Sequence, residues 1–415
     1  MCRAMRVSIV IQRFAEGVTG GAEYHARRVG QHLAAAGHDV TVLTSTSRDA
    51  RRWDNAFPPG ESRDGALRVL RFPVRSRLLR DVERARESLR HALGRSPVTL
   101  RQAWSMWANP YVPELIAHVR DEAARYDAVL FFTYYYYPSL VGALHACGTA
   151  RIGVPLGHDD DVFATPVVRR MLCAFDAMIA NTDDERELIE RVLGDRGRTP
   201  RADITVAGCG VDPPPAEISR PPIDDPYILY LGRFKDGLEL LPEAWRAFRA
   251  RYGAETFERS DGRTLRGDEL TLVTVGDAQL SHLARGLEGE RWKVVGHVDD
   301  AARWAWTRGC EVLINPSLYE SLSLTLLEAW WVRRPALARA QCAVMASQIA
   351  RAEGGATFRD AGSFADALAA MLRSREARAR MGERGSTFAQ QRYAWPRVME
   401  HYARVLERCA QKKRK

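Results

Sequence analysis

The sequence predicts an α/β protein of two domains, each a parallel sheet covered by helices, and three observations carry that expectation. The 415 residues exceed what one hydrophobic core usually serves. Short apolar runs alternate with helix-like segments in both halves. Between the halves, residues 212–226 read DPPPAEISRPPIDDP, a proline-rich linker with no regular pattern.

In the first half, MCRAMRVSIVIQRF holds an apolar run of five residues, from Val7 to Ile11, cut off by Gln12 and Arg13. That is a buried strand rather than the core of a signal peptide. After a glycine turn comes AEYHARRVGQHLAAAG, where Ala22, Ala26, Val29 and Leu33 fall on one helical face and Gly37 ends the helix. HDVTVLTS gives the second strand, and AVLFFTYYYY, ARIGVPLG, DAMIAN and ITVAG give further buried runs. The basic segment 75–107 reads as helical, an insertion over one edge of the domain.

In the second half, YILYLGR, LTLVTVG, WKVVG and EVLINP read as strands, each followed by a loop and a helical stretch. LELLPEAWRAFRARY and SFADALAAMLRSREARARMGERG are two such helices, and FAQQRYAWPRVMEHYARVLERC reads as a single closing helix. No short-period repeat is present, which argues against a solenoid.

Composition narrows the function. No apolar run approaches the ~18 residues of a membrane span, so a cytosolic protein is expected. Seven cysteines are scattered with no C-x-x-C pair, which indicates neither a disulfide framework nor a zinc site. The formal charge of +9 admits anionic partners, and phosphorylated ligands or the surface of an anionic membrane suit it.

PSLYESLSLTLLE, residues 316–328, sets Glu320 and Glu328 around a serine-bearing apolar run. The spacing predicts a loop turning into a helix, with Ser321 or Ser323 as its cap, Glu328 inside it and Glu320 in front. A helix N-terminus offers free N–H groups to phosphate oxygens, and two carboxylates beside it suit sugar hydroxyls. Gly20 and Gly21 in GVTGGAEYH allow close backbone approach to a phosphate or sugar, but they do not form the G-x-G-x-x-G of a dinucleotide site. YLGRFKDG delivers Arg233 and Lys235 to the end of a strand, where two cations would neutralise a diphosphate. Two such halves favour a ligand at the carboxyl ends of the strands.

Together these motifs resemble family 4 of the retaining glycosyltransferases, which have the two-domain GT-B fold, over nearly the whole chain. The resemblance rests on GGAE, AGHDVTVLTS, IANTDDERELI, CGVD, LGRFK and VVGHVDD, and above all on YESLSLTLLEAW followed by RRPAL. It implies two Rossmann-like domains facing a central cleft: an acceptor-side domain at 1–211, the linker at 212–226, a nucleotide-sugar domain at 227–392, and a helix with a basic tail at 393–415 that crosses back to the first domain.

It implies a donor that is a nucleotide-diphosphate sugar, an acceptor that is a glycan or lipid-linked saccharide, and neither metal nor other cofactor. A nucleic acid partner is not expected. Glu320 would meet the donor sugar, Glu328 the ribose, the N–H groups of Ser321, Leu322, Ser323 and Leu324 the diphosphate, and Arg233 and Lys235 its growing charge. Gly296 and His297 join the nucleotide-sugar contacts, and His158 in VPLGHDDD stands near the sugar. Asp159, Asp160 and Asp161 raise the question of a metal, yet three consecutive carboxylates do not readily face one ion.

Two departures stand out. Arg233 and Lys235 are closer together than is usual in the family, and Val332-Arg333-Arg334-Pro335 replaces the customary glycine turn, which puts a non-glycine in a left-handed position. A nucleotide-sugar epimerase, a phosphorylase and an inactive binding protein remain as alternatives.

Overall fold

The structure is a computed structural model that describes residues 3–18, 20–50, 52–75, 110–194, 202–221, 223–234, 236–277, 280–285 and 289–412. Lys235 and most of the basic segment 75–107 lie outside these. The chain divides into two compact units, Met1–Gly208 with Val398–Lys415, and Cys209–Arg397.

Unit 1 begins with β1 (Arg6–Val10), α1 (Gly21–Ala35) and β2 (Asp39–Ser45). Val7, Ile9 and Val10 are fully buried in β1, each contributing about 1.5–3 kcal/mol relative to exposure. α1 ends in a left-handed Gly37, with φ 90°, whose N–H donates to Ala34 O at 2.9 Å. An antiparallel hairpin follows, β3 (Gly60–Asp64) and β4 (Leu67–Phe72). Its arginines hide it from a search for apolar runs.

Then come α2 (Pro113–Glu122), β5 (Ala128–Phe132), α3 (Tyr137–His145), β6 (Ala150–Val154), α4 (Pro166–Leu172), β7 (Ala177–Ala180), α5 (Asp183–Gly194) and β8 (Asp203–Val206). The sheet runs β3-β4-β2-β1-β5-β6-β7-β8, and every pairing except β3 with β4 is parallel. The carboxyl ends of the parallel strands therefore share one edge. Tyr134 to Tyr136 do not extend β5, because Thr133 turns at φ 73°.

Unit 2 repeats the plan with β9 (Tyr227–Gly232), α6 (Leu241–Tyr252), the hairpin β10 (Thr256–Glu258) and β11 (Thr264–Arg266), β12 (Thr271–Gly276), α7 (Leu280–Leu283) and β13 (Trp292–Val295). It continues with α8 (Asp300–Gly309), β14 (Val312–Asn315), α9 (Leu324–Trp331), β15 (Ala336–Arg339), α10 (Ala343–Ala352), β16 (Gly355–Phe358), α11 (Ala361–Leu372) and α12 (Arg375–Tyr393). Its sheet is wholly parallel in the order β13-β12-β9-β14-β15-β16. Trp245, Phe248, Phe257 and Phe364 fill one side of it.

Two helices read as continuous are broken. The run from Ser363 parts at Ser374, whose hydroxyl caps α12 by accepting from Ala377 N at 3.1 Å. The closing run parts at Ala394, and α13 (Trp395–Lys412) begins beside Pro396, which has no N–H to continue the earlier helix. From Val398 onward α13 belongs to unit 1, where Val398, Tyr402, Val405 and Leu406 are buried at helical spacing. Among the described residues no helix is long and apolar enough to cross a membrane.

Candidate functional site

In unit 2 the segment 316–328 leaves the carboxyl edge of the sheet after Asn315, the last residue of β14. Asn315 is buried and spans the turn: its Oδ1 accepts from Ser317 N at 3.1 Å, and its Nδ2 donates to Ser323 Oγ at 3.1 Å and lies 3.5 Å from Glu320 Oε1. Ser323 stands just before α9, as the spacing predicts, but its hydroxyl serves Asn315 rather than capping the helix. Its N–H is also engaged, donating to Oε1 of the buried Gln348 on α10 at 3.3 Å. Of the four N–H groups expected to meet a diphosphate, that of Ser323 thus already has an internal partner. Tyr319, beside Glu320, is 41% exposed, an unusual setting for a large side chain.

Glu328 lies just over one turn into α9 with its side chain 13% exposed, and its Oε1 accepts from Nη1 of Arg303 on α8. Burial pushes the Glu328 carboxyl up, and the guanidinium offsets part of that rise. Arg303 was not singled out in the sequence, since 25 residues separate the partners and neither segment announces the other.

Arg233 follows β9 and is exposed. Its loop packs on the segment 316–328, with Leu318 N donating to Asp236 O at 3.0 Å, and on the end of β15, with Arg339 Nη1 donating to Gly237 O at 3.1 Å. Gly237 makes this approach possible: at φ 104° an added Cβ would stand 2.3 Å from Pro316 O. The Tyr230 hydroxyl donates to Arg233 O at 2.5 Å, and its phenol is raised by burial and then by the charge of Glu320. Arg233, Glu320, residues 321–324 and Glu328 therefore gather at the adjacent strands β9 and β14. Gly296 and His297 follow β13, two strands from β9, and both are exposed. Lys235 lies outside the described residues.

In unit 1, Gly20 and Gly21 open α1, but the space beside Gly20 is taken by the protein's own Glu23. A Cβ on Gly20 would lie 2.0 Å from Oε2 of Glu23, a buried carboxylate that accepts from Arg13 Nη2 at 2.5 Å and Gln12 Nε2 at 2.9 Å. His158 follows β6, half-buried, its ring set edge-on to Tyr134 at 6.0 Å between centroids. Of the three aspartates after it, the first two diverge. Asp159 pairs with Arg191 at 2.8 Å, while Asp160 accepts from Tyr134 Oη at 2.6 Å and from the N–H groups of Val162 and Phe163 at 3.0 and 2.8 Å. Among the described residues no cluster of three histidines, cysteines or carboxylates suits a metal ion.

Glu185, on α5, was also not singled out. It is 1% exposed and accepts from Gly157 N and Asn181 N at 2.6 Å each, and burial raises its carboxyl to about 7 against these bonds. A glutamate at the start of a charged helix gives no local sign that it will point inward.

The family profile described as Glycosyltransferase Family 4 matches residues 19–214, and that of Glycosyl transferases group 1 matches residues 225–374. A glycogen synthase of Mycobacterium tuberculosis is 25% identical over 346 residues, 78% of this chain and 75% of its own length. A phosphatidyl-myo-inositol mannosyltransferase of Propionibacterium freudenreichii is 30% identical over 256 residues, 58% of this chain and 59% of its own. Among solved structures, the sucrose-phosphate synthase of Thermosynechococcus elongatus superposes with a TM-score of 0.69 at 17% identity, over 97% of this chain and 98% of that one. Anabaena HepE in complex with UDP-glucose gives 0.65 at 14% identity, over 97% and 99%. At such low identity these likenesses speak for the fold, which is GT-B.

Proposed function

Because this chain belongs to the group 1, family 4 glycosyltransferases, we propose that it moves a sugar from a nucleotide-diphosphate donor to a glycan or lipid-linked acceptor, retaining the anomeric configuration and using no metal. The observation that carries the reading is the placing of Glu320 before α9 and of Arg303-paired Glu328 within it, at the carboxyl edge of unit 2's sheet.

Glu328 is assigned to the ribose and Glu320 to the donor sugar. Arg233, with Lys235, is assigned to the leaving diphosphate, where preorganised positive charge lowers the barrier most effectively. His158 is assigned to a hydrogen bond with the sugar. The diverging partners of Asp159 and Asp160 favour a metal-free reaction, since neither carboxylate is kept for an ion.

The relatives and structural neighbours suggest where to begin. One relative is named for transfer of mannose to phosphatidyl-myo-inositol and another for glycogen synthesis, while HepE was solved with UDP-glucose. We assign the reaction to the cytosol, with peripheral contact to an anionic membrane beside a lipid-linked acceptor.

The test incubates the protein in EDTA with UDP-, GDP-, ADP- and dTDP-sugars, each with a glucan primer or with phosphatidylinositol in vesicles. Release of nucleoside diphosphate together with an α-configured product from an α-configured donor is the expected result. A sugar epimerised while still attached to its nucleotide, or no release with any donor, overturns the proposal.

A further inference from the structure

We infer that Glu185 is a positioning residue for His158, its carboxylate fixing the turn that sets where the imidazole points. The inference rests on the role proposed for His158.

Three backbone groups converge on this carboxylate. Oε1 accepts from Gly157 N, Oε2 accepts from Asn181 N, and Leu156 also bonds to it through its backbone. Glu185 thus ties the loop after β6 to the loop after β7, immediately before His158. Leu156 holds φ 55°, a conformation that an L side chain keeps only when its surroundings impose it. On the far side of His158, Asp160 closes a second turn through Val162, Phe163 and Tyr134. The histidine is therefore held between two carboxylate-bound turns, and only the first of those carboxylates is fully buried.

That burial is informative. Among the described residues no cation is paired with Glu185, and burial disfavours its charged form. An apolar side chain would fill the space more cheaply, yet it would leave several N–H groups without an acceptor. The carboxylate serves the shape of two loops, and His158 is the first residue beyond the anchored backbone of the first.

The test compares Glu185→Gln, His158→Ala and the double variant, with kcat and donor KM measured on folded protein. Glu185→Gln should lower kcat by ~10- to 100-fold, the scale of a misplaced group, and leave donor KM nearly unchanged. The double variant should fall within ~2-fold of His158→Ala alone, because a residue acting through another adds no loss once that other is gone. Additive losses, or a wild-type kcat in Glu185→Gln, overturn the inference.

The His158 imidazole resonance, assigned with His158→Gln, supplies a readout independent of turnover. It should move in Glu185→Gln and in Glu185→Asp, which keeps the charge on a shorter arm and serves if the glutamine variant does not fold. If the wild-type protein turns over no nucleotide sugar, the functional reading fails while this resonance still decides the positioning. An unmoved resonance overturns it.

Discussion

Arg303 Nη1 donates to Glu328 Oε1, and Asp300, one turn before it, lies 3.3 Å from the Nε of the same guanidinium. One oxygen of the carboxylate assigned to the ribose thus already accepts from a guanidinium. The pairing holds the side chain in one orientation before a nucleotide arrives.

Arg303→Gln should therefore act like Glu328→Gln, although the arginine has no assigned ligand. Both should raise donor KM by ~10- to 100-fold at nearly constant kcat, the cost of a hydrogen bond to a charged group made equally in ground and transition states. Initial rates over a range of donor concentrations check this. An unchanged KM in Arg303→Gln would mean that Glu328 needs no partner.

Glu320→Gln should behave differently. If its carboxylate faces the sugar carbon that gains positive charge, losing the anion should lower kcat by ~100-fold or more at saturating donor. The substitution keeps the volume, and the amide oxygen can keep the 3.5 Å contact with Asn315 Nδ2. Normal turnover would make Glu320 an ordinary loop carboxylate.

Stability should depend on pH through buried groups of opposite sign, His25 on one side and Glu185, with the likewise raised Glu328, on the other. His25 is held neutral, accepting from Tyr402 Oη at Nε2 (2.9 Å) and donating to the Gly208 carbonyl, and burial lowers its pKa to about 3. Its contribution is present above the unfolded value of 6.5 and is lost as pH falls toward 3. Glu185, raised to about 7, contributes most below 4.5 and loses that contribution as pH rises through 7. Between 4.5 and 6.5 the two slopes oppose each other, so the wild-type melting temperature should vary little there. His25→Gln should unmask Glu185, giving a melting temperature that rises as pH falls from 7 to 5. A flat profile in that variant would sink the assignment to Glu185.

Arg333 adopts φ 57° at the end of α9, where Arg333 N donates to Trp330 O and Arg334 N to Ala329 O, both at 2.8 Å. Arg333→Asn should stabilise unit 2 by up to about 1 kcal/mol, since asparagine tolerates this conformation without the added chain entropy of glycine. The ion pair lost with Glu383 is more than half exposed on both sides and contributes little. Calorimetry on the two proteins decides, and a lowered melting temperature would assign the pair real weight.

The fold was legible where strands are uniformly apolar. VSIVI and AVLFF announce β1 and β5, whereas β4, LRVLRF, alternates arginine with aliphatic residues and was passed over. Helix presence was legible and helix breaks were not: a serine cap at Ser374 and a pre-proline residue at Trp395 are single-residue events inside strongly helical composition.

The candidate site divides in the same way. Arg233, Glu320 and Glu328 belong to contiguous motifs. Arg303, Gln348 and Glu185 were missed because each meets a partner 25 or more residues away, where no local pattern reports it. The φ of Arg333 was readable beforehand, because a helix ending in VRRP leaves the chain no glycine on which to turn.

Since α13 from Val398 onward packs into the first unit, that unit is encoded in two pieces with about 190 residues of the other between them. During synthesis, residues 1–208 leave the ribosome long before the helix that supplies Tyr402 and its apolar face. At a typical elongation rate of ~5–20 residues per second the wait is about ten seconds or more. Throughout it, His25 has no Tyr402 to bond, and the groove for Val398, Val405 and Leu406 stands open. The nascent first unit should thus need chaperones, and a chain stopped at Arg397 should be recovered as aggregate rather than as an enzyme lacking only its tail.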